Sequence, residues 1–129
     1  MKIVSGNKTA YIPASHEDRD HPQVWKKVLA TKLDIPKGQL QMVNWAKLPV
    51  GKQFQKHYHE DMHEVFVMVQ GKSEMIIENK KFQLTVGDAV IVQPHEVHLM
   101  KNCGTEEVLY VVFGIATGND GKTIVVSKP

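Results

Sequence analysis

Apolar and turn-forming residues are distributed along the chain in short alternating blocks. Runs rich in Val, Ile, Leu, Phe and Thr occupy 25–33, 40–48, 65–69, 73–77, 82–86, 89–92, 97–102, 108–115 and 123–126. They stop at Pro36-Lys37-Gly38, Pro49-Val50-Gly51, Gly71, Glu78-Asn79-Lys80, Gly87-Asp88, Gln93-Pro94-His95 and Cys103-Gly104. β-branched and aromatic residues favour a pleated, half-buried strand, whereas Gly, Pro, Asn and Asp supply the dihedrals of turns. Turn signals about every 8–12 residues predict an all-β sandwich or barrel. One segment also fits a helix: Trp25, Leu29 and Leu33 recur at helical spacing. No capping residue precedes it, and Val28, Thr31 and the flanking prolines favour a strand.

The first 22 residues read differently. Thr9-Ala10-Tyr11-Ile12 has the composition of a short strand, but 13–22 is polar and loop-like. The expected organisation is an N-terminal arm at 1–22 and a barrel at 23–129. A chain of 129 residues is the size of one domain and buries enough surface to fold without cross-links. Its single cysteine, Cys103, excludes an internal disulfide and fits a cytoplasmic protein. No apolar run is long enough to span a bilayer, and the first six residues turn polar too early for a signal peptide. The net charge of +2 comes from fifteen Lys and one Arg that are scattered rather than clustered, which argues against nucleic acid as a partner.

Histidine changes the picture. Five of the seven, namely His57, His59, His63, His95 and His98, fall within 42 residues. In a strand, residues i and i+2 share a face, so His57 and His59 project together, roughly 6.5–7 Å apart at Cα. Two imidazoles so placed can converge on one ion at about 2.0–2.2 Å. Glu64 follows after a loop short enough to return its side chain to the same space, and His98 would join from a later strand across the barrel. Three imidazoles and one carboxylate suit a single divalent transition metal (Mn, Fe, Ni, Co or Zn) and disfavour Ca.

The segment Gly51-Lys52-Gln53-Phe54-Gln55-Lys56-His57-Tyr58-His59-Glu60-Asp61-Met62-His63-Glu64-Val65-Phe66-Val67-Met68-Val69-Gln70-Gly71 resembles the first motif of the cupin superfamily, G-x5-H-x-H-x4-E-x6-G, with every fixed position present. The second motif, G-x5-P-x-G-x2-H-x3-N, is matched at Gly87, His98 and Asn102. Gln93 replaces its Pro and His95 its Gly; Pro94 keeps a turn former, and histidine tolerates positive φ better than most residues. The resemblance implies a double-stranded β-helix (jelly-roll) barrel with metal ligands His57, His59, Glu64 and His98. It also implies a small-molecule substrate. Short chains of this kind look like the mannose-6-phosphate-isomerase-like cupins. The functions it suggests are a metal-dependent isomerase or dioxygenase with the ion as Lewis acid, or a non-catalytic metal-dependent sugar or small-molecule sensor. Arg19 alone does not make a phosphate site.

Parity assigns the remaining candidates. His63 turns away from the ligands. His95 sits in a turn near the expected cavity mouth, and Tyr110 stands on the next strand. These two are the candidates for acid–base or positioning roles. Met100 shares the face of His98. Phe54, Lys56 and Tyr58 fall on the face opposite His57 and His59, where an arm or a second subunit would cover them. Trp25 and Trp45 read as core or interface aromatics. A homodimer is expected, with no nucleic-acid or membrane partner.

Overall fold

The structure is a computed structural model that describes residues 2, 4–34, 39–117 and 121–126. The turn expected at Pro36-Lys37-Gly38 lies outside the described residues. Among the described residues there is one turn of 3-10 helix, Gly6–Lys8, and eleven strands. These are β1 (Ile12–Pro13), β2 (Trp25–Thr31), β3 (Leu40–Leu48), β4 (His57–His59), β5 (Met62–Gln70), β6 (Ser73–Ile77), β7 (Lys80–Leu84), β8 (Ala89–Val92), β9 (His98–Asn102), β10 (Val108–Ala116) and β11 (Thr123–Val125). No helix among them is long and apolar enough to cross a membrane.

Two antiparallel sheets form the body. One has the order β1-β2-β3-β10-β5-β8, the other β11-β4-β9-β6-β7. Strands that follow one another in sequence often lie in opposite sheets, which is the double-stranded β-helix expected. The segment 25–31 is strand, not helix: β2 pairs with β3 from Trp25↔Lys47 to Thr31↔Met42.

Two boundaries differ from the sequence pattern. β5 starts at Met62 rather than Val65, because its ladder with β10 extends to Met62↔Ala116. β7 is displaced two residues towards the N-terminus. Glu78 and Asn79, at φ 49° and 66°, make a two-residue hairpin turn whose twist matches the flanking strands, so pairing resumes at Ile77↔Lys80.

Alternation along each strand builds the core. In β5, Met62, Glu64, Phe66 and Met68 face in, while His63, Val65 and Val67 face out. In β10, Val108, Tyr110 and Val112 face in. Leu48, Phe54, Met75 and Met100 are essentially fully buried between the sheets. Each such side chain contributes about 1.5–3 kcal/mol relative to exposure. Phe54 corrects the parity reading, which put it on an outer face. It precedes β4, where the chain is not in a regular ladder, and its ring turns inward to within 5.3 Å of the His57 ring.

Two motif residues hold strand junctions. Gly71 sits at φ 83° with Glu107 O and Val108 about 3.1 Å from where a Cβ would stand, so any side chain would meet backbone. Asn102 is buried; its Nδ2 donates to Leu48 O at 3.0 Å and Glu106 O at 2.9 Å, and its Oδ1 accepts from Gly104 N. It thereby ties the β9–β10 loop to the end of β3.

The arm follows the barrel surface. β1 pairs with β2 through Ile12↔Lys26 and Pro13↔Trp25. Tyr11 accepts a hydrogen bond from Trp45 Nε1 and receives Lys27 and Lys47 over its ring. Glu17 is buried: one carboxylate oxygen accepts from Gln23 N, the other from Gln55 N and His16 Nδ1.

Candidate metal centre

His57 and His59 are the two ends of β4 and face the interior together. Glu64 faces them from β5 in the other sheet, and His98 opens β9 beside β4, in register with His57. All four are buried. Each offers one ligand atom, and the four atoms lie within 4.8 Å of one another. An ion bound at about 2.1 Å separates opposite ligands by about 4.2 Å, so only small rotations are needed to close on it.

Every ring is held by its far nitrogen. His57 Nδ1 lies 2.7 Å from Gln55 O, His98 Nδ1 2.9 Å from Glu96 O, and His59 Nδ1 3.0 Å from Thr123 Oγ1. Each Nδ1 contact turns the Nε2 of its ring towards the space beside Glu64, and Nε2 is the nitrogen through which that ring would bind a cation. His59 Nε2 and His98 Nε2 converge on Glu64 Oε1 at 2.7 and 3.1 Å. Burial alone would raise the Glu64 carboxyl, but these two hydrogen bonds and the nearby imidazole charges hold it below the usual carboxylate range. Burial, with His16 and His98 alongside, pushes His57 down to about 2, so its ring is neutral across the physiological range. The donor set fits a transition-metal ion: three imidazoles, an ionised carboxylate, and outer partners that aim them. One carboxylate is too few for Ca.

The chain matches the family model described as Cupin domain over residues 44–114, more than half its length. It belongs to the cupin family. It is 31% identical over 71 residues to an uncharacterised protein of Methanocaldococcus jannaschii, covering 55% of this chain and 57% of that one. The chain thus spans little more than half the length of that relative. Among solved structures it resembles a predicted oxalate decarboxylase of Thermotoga maritima, with a TM-score of 0.79 and 20% identity over 89% of this chain and 99% of that one. It also resembles a sugar phosphate isomerase of the cupin superfamily from Silicibacter pomeroyi, with a TM-score of 0.72 and 17% identity over 90% and 76% of the two chains. At these identities the two structures share the fold.

In this cupin the candidate metal centre opens into a cavity of about 260 Å³ between the sheets. His57, His59 and Glu64 form one end of it, and His98 lies beneath them, fully covered. Met62, Phe66 and Val112 are apolar wall, and Lys26, Asn44 and Tyr110 bring polar groups. Burial, with Glu64 and Glu17 nearby, pushes the Tyr110 phenol above its ordinary value, so it remains a neutral donor.

His63 stands on the outer face of β5, opposite Ile115. His95 adopts φ 69°, the left-handed conformation its motif position requires, and its N–H donates to His59 O at 2.7 Å. Its ring is exposed beside Tyr58 and does not line the cavity. Tyr110 does line it. Met100 faces inward as expected but packs in the core rather than at the cavity wall.

The sequence reading missed four residues: His16, Lys26, Asn44 and Thr123. His16 stacks on His57 at 4.2 Å between ring centroids and closes the cavity from the arm. Nothing local marks it, because its neighbours are all polar. Lys26 and Asn44 carried a readable signal, each being a polar residue at an inward parity position of an otherwise apolar strand.

Proposed function

We propose that this cupin is a metal-dependent enzyme acting on a small oxygenated substrate, by isomerisation or dioxygenation. The observation that carries the reading is the buried three-histidine, one-glutamate set opening on a cavity of about 260 Å³. A divalent ion held by His57, His59, Glu64 and His98 would supply Lewis acidity towards a substrate oxygen. The protein's own groups supply the rest. Tyr110 donates a hydrogen bond where negative charge develops on oxygen. Phe66, Val112 and Met62 exclude water, which strengthens that interaction. His16, backed by Glu17, walls the cavity from the side of the arm.

The test is elemental analysis of protein purified without a chelating tag, followed by turnover assays with and without oxygen. The expected result is close to one transition-metal ion per chain and turnover that stops when the ion is removed. Oxygen uptake on substrate addition assigns dioxygenation, and product without uptake assigns isomerisation. A chain that binds no ion, or binds ligands through the ion with no turnover of any, overturns the reading; the second result leaves a sensor.

A further inference from the structure

The far end of the cavity carries two polar side chains that the described residues leave partly or wholly unpartnered. On β2, Lys26 pairs opposite Ala46 and faces in, whereas its neighbour Lys27 faces out over Tyr11. The Lys26 ammonium donates to Ser15 Oγ at 2.6 Å, which uses one of its three protons. Among the described residues no carboxylate lies within ion-pair distance of it, and burial together with the Arg19 charge disfavours its cationic form. On β3, Asn44 faces the same way, two residues from Ala46. Its Oδ1 is buried with no hydrogen-bond partner among the described residues, none of which bonds its amide nitrogen. A buried amide oxygen without a partner is costly unless something else supplies one.

We infer that the ligand of this cavity is a small hydroxycarboxylate, its carboxylate held by Lys26 and a hydroxyl by Asn44, with a further oxygen left for the metal end. The inference rests on the proposed function and names its substrate class. A carboxylate neutralises the lone inward ammonium and can take its two free protons. A hydroxyl both donates and accepts, so it answers either end of the Asn44 carboxamide. Phosphate fits less well, since Lys26 is the one lysine or arginine among the described residues lining the cavity, and none of their helix N-termini adjoins it. The dimensions agree. From β5, which carries Glu64, to β2, which carries Lys26, the sheet order makes three inter-strand steps, roughly 14 Å between backbones. Side chains reaching in from both ends leave room for a molecule of a few carbons.

The experiment measures dissociation constants by calorimetry for glycerate, its neutral isostere glyceramide, and propionate, which lacks hydroxyls. Each is titrated into the metal-loaded and the metal-free chain, with metal stoichiometry determined separately. Wild type is expected to prefer glycerate to both analogues by about tenfold or more. Lys26→Met should bring glycerate and glyceramide to the same affinity, and Lys26→Arg should keep the preference. Asn44→Leu should bring glycerate and propionate together. The inference is overturned if wild type shows no preference, if Lys26→Met retains it, or if inorganic phosphate outcompetes glycerate. A chain that holds no metal but still loses its carboxylate preference with Lys26→Met sinks the enzyme reading and leaves the anchor standing. A metal-loaded chain with no preference does the reverse.

Discussion

The two ends of the cavity are built on opposite plans. At the metal end, three imidazoles and a carboxylate come from one stretch of 42 residues, and each ring is fixed through its second nitrogen by Gln55 O, Glu96 O or Thr123 Oγ1. At the far end, among the described residues, Lys26 has one hydroxyl partner and Asn44 has no side-chain hydrogen-bond partner. The first end gathers its four ligand atoms within 4.8 Å of one another, as a site for one cation would. The second keeps donors and an acceptor open, as a site that selects a ligand must, because a group already satisfied by the protein has nothing to offer a substrate.

Removing a ligand should have the largest effect. Substituting His57, His59 or His98 by Ala, or Glu64 by Gln, should lower metal affinity by more than about 100-fold, because each loss removes a bond that outweighs any outer-shell contact. The strands should persist, since their apolar core does not involve the ion. Metal stoichiometry by mass spectrometry and far-ultraviolet circular dichroism check the two statements. Lys26→Met, Asn44→Leu, His63→Ala and His95→Ala should keep the ion. A far-end variant that loses it would erase the distinction between the ends.

The next effect sharpens the metal end itself. His57 and His98 lean on backbone carbonyls that no substitution removes, but His59 leans on a side chain. Thr123→Val keeps the shape and deletes the acceptor, so metal affinity should fall roughly 10–100-fold, measured by competition with a chelator. Unchanged affinity would mean that the rings are aimed by packing alone.

The smallest effect belongs to the arm. Glu17→Gln should cost about 1–3 kcal/mol in urea unfolding, because a charged acceptor of hydrogen bonds from Gln23, Gln55 and His16 becomes neutral. The pH dependence has a fixed sign. Burial works against ionised Glu17, yet its hydrogen bonds from His16, Gln55 and Gln23 hold the carboxyl below 4.5 in the fold. Its stabilisation is therefore present above pH 4.5 and lost as pH falls through the folded value. The gap between wild type and Glu17→Gln should close below pH 4.5. A gap that persists into acid would show that the carboxylate charge is not what holds the arm.

Most of the barrel and all four proposed metal ligands were legible in the chain, for a physical reason. A strand alternates its faces every residue, so His57 with His59 and Phe66 with Met68 announce their own orientation. Turn positions carry their chemistry too, as with Gly71 at φ 83° and His95 at φ 69°. Where the ladder lapses, parity fails. Phe54 lies outside a strand, and its ring is turned inward by the apolar space between the sheets rather than by its place in a repeat.

What the sequence determined by itself was local: strands, turns, and the shared face of His57 and His59, to which the cupin resemblance added Glu64 and His98 as proposed ligands. The tertiary structure alone decided which distant segments meet. It brought the polar arm across the open edge, so that His16 stacks on His57 and Glu17 reaches Gln55, 38 residues away. It set β11 beside β4, so that Thr123 orients His59 across 64 residues. It also placed Lys26 and Asn44 over a cavity rather than in a packed layer. Such contacts join residues with no common period and depend on how two twisted sheets close on each other, which no local pattern encodes.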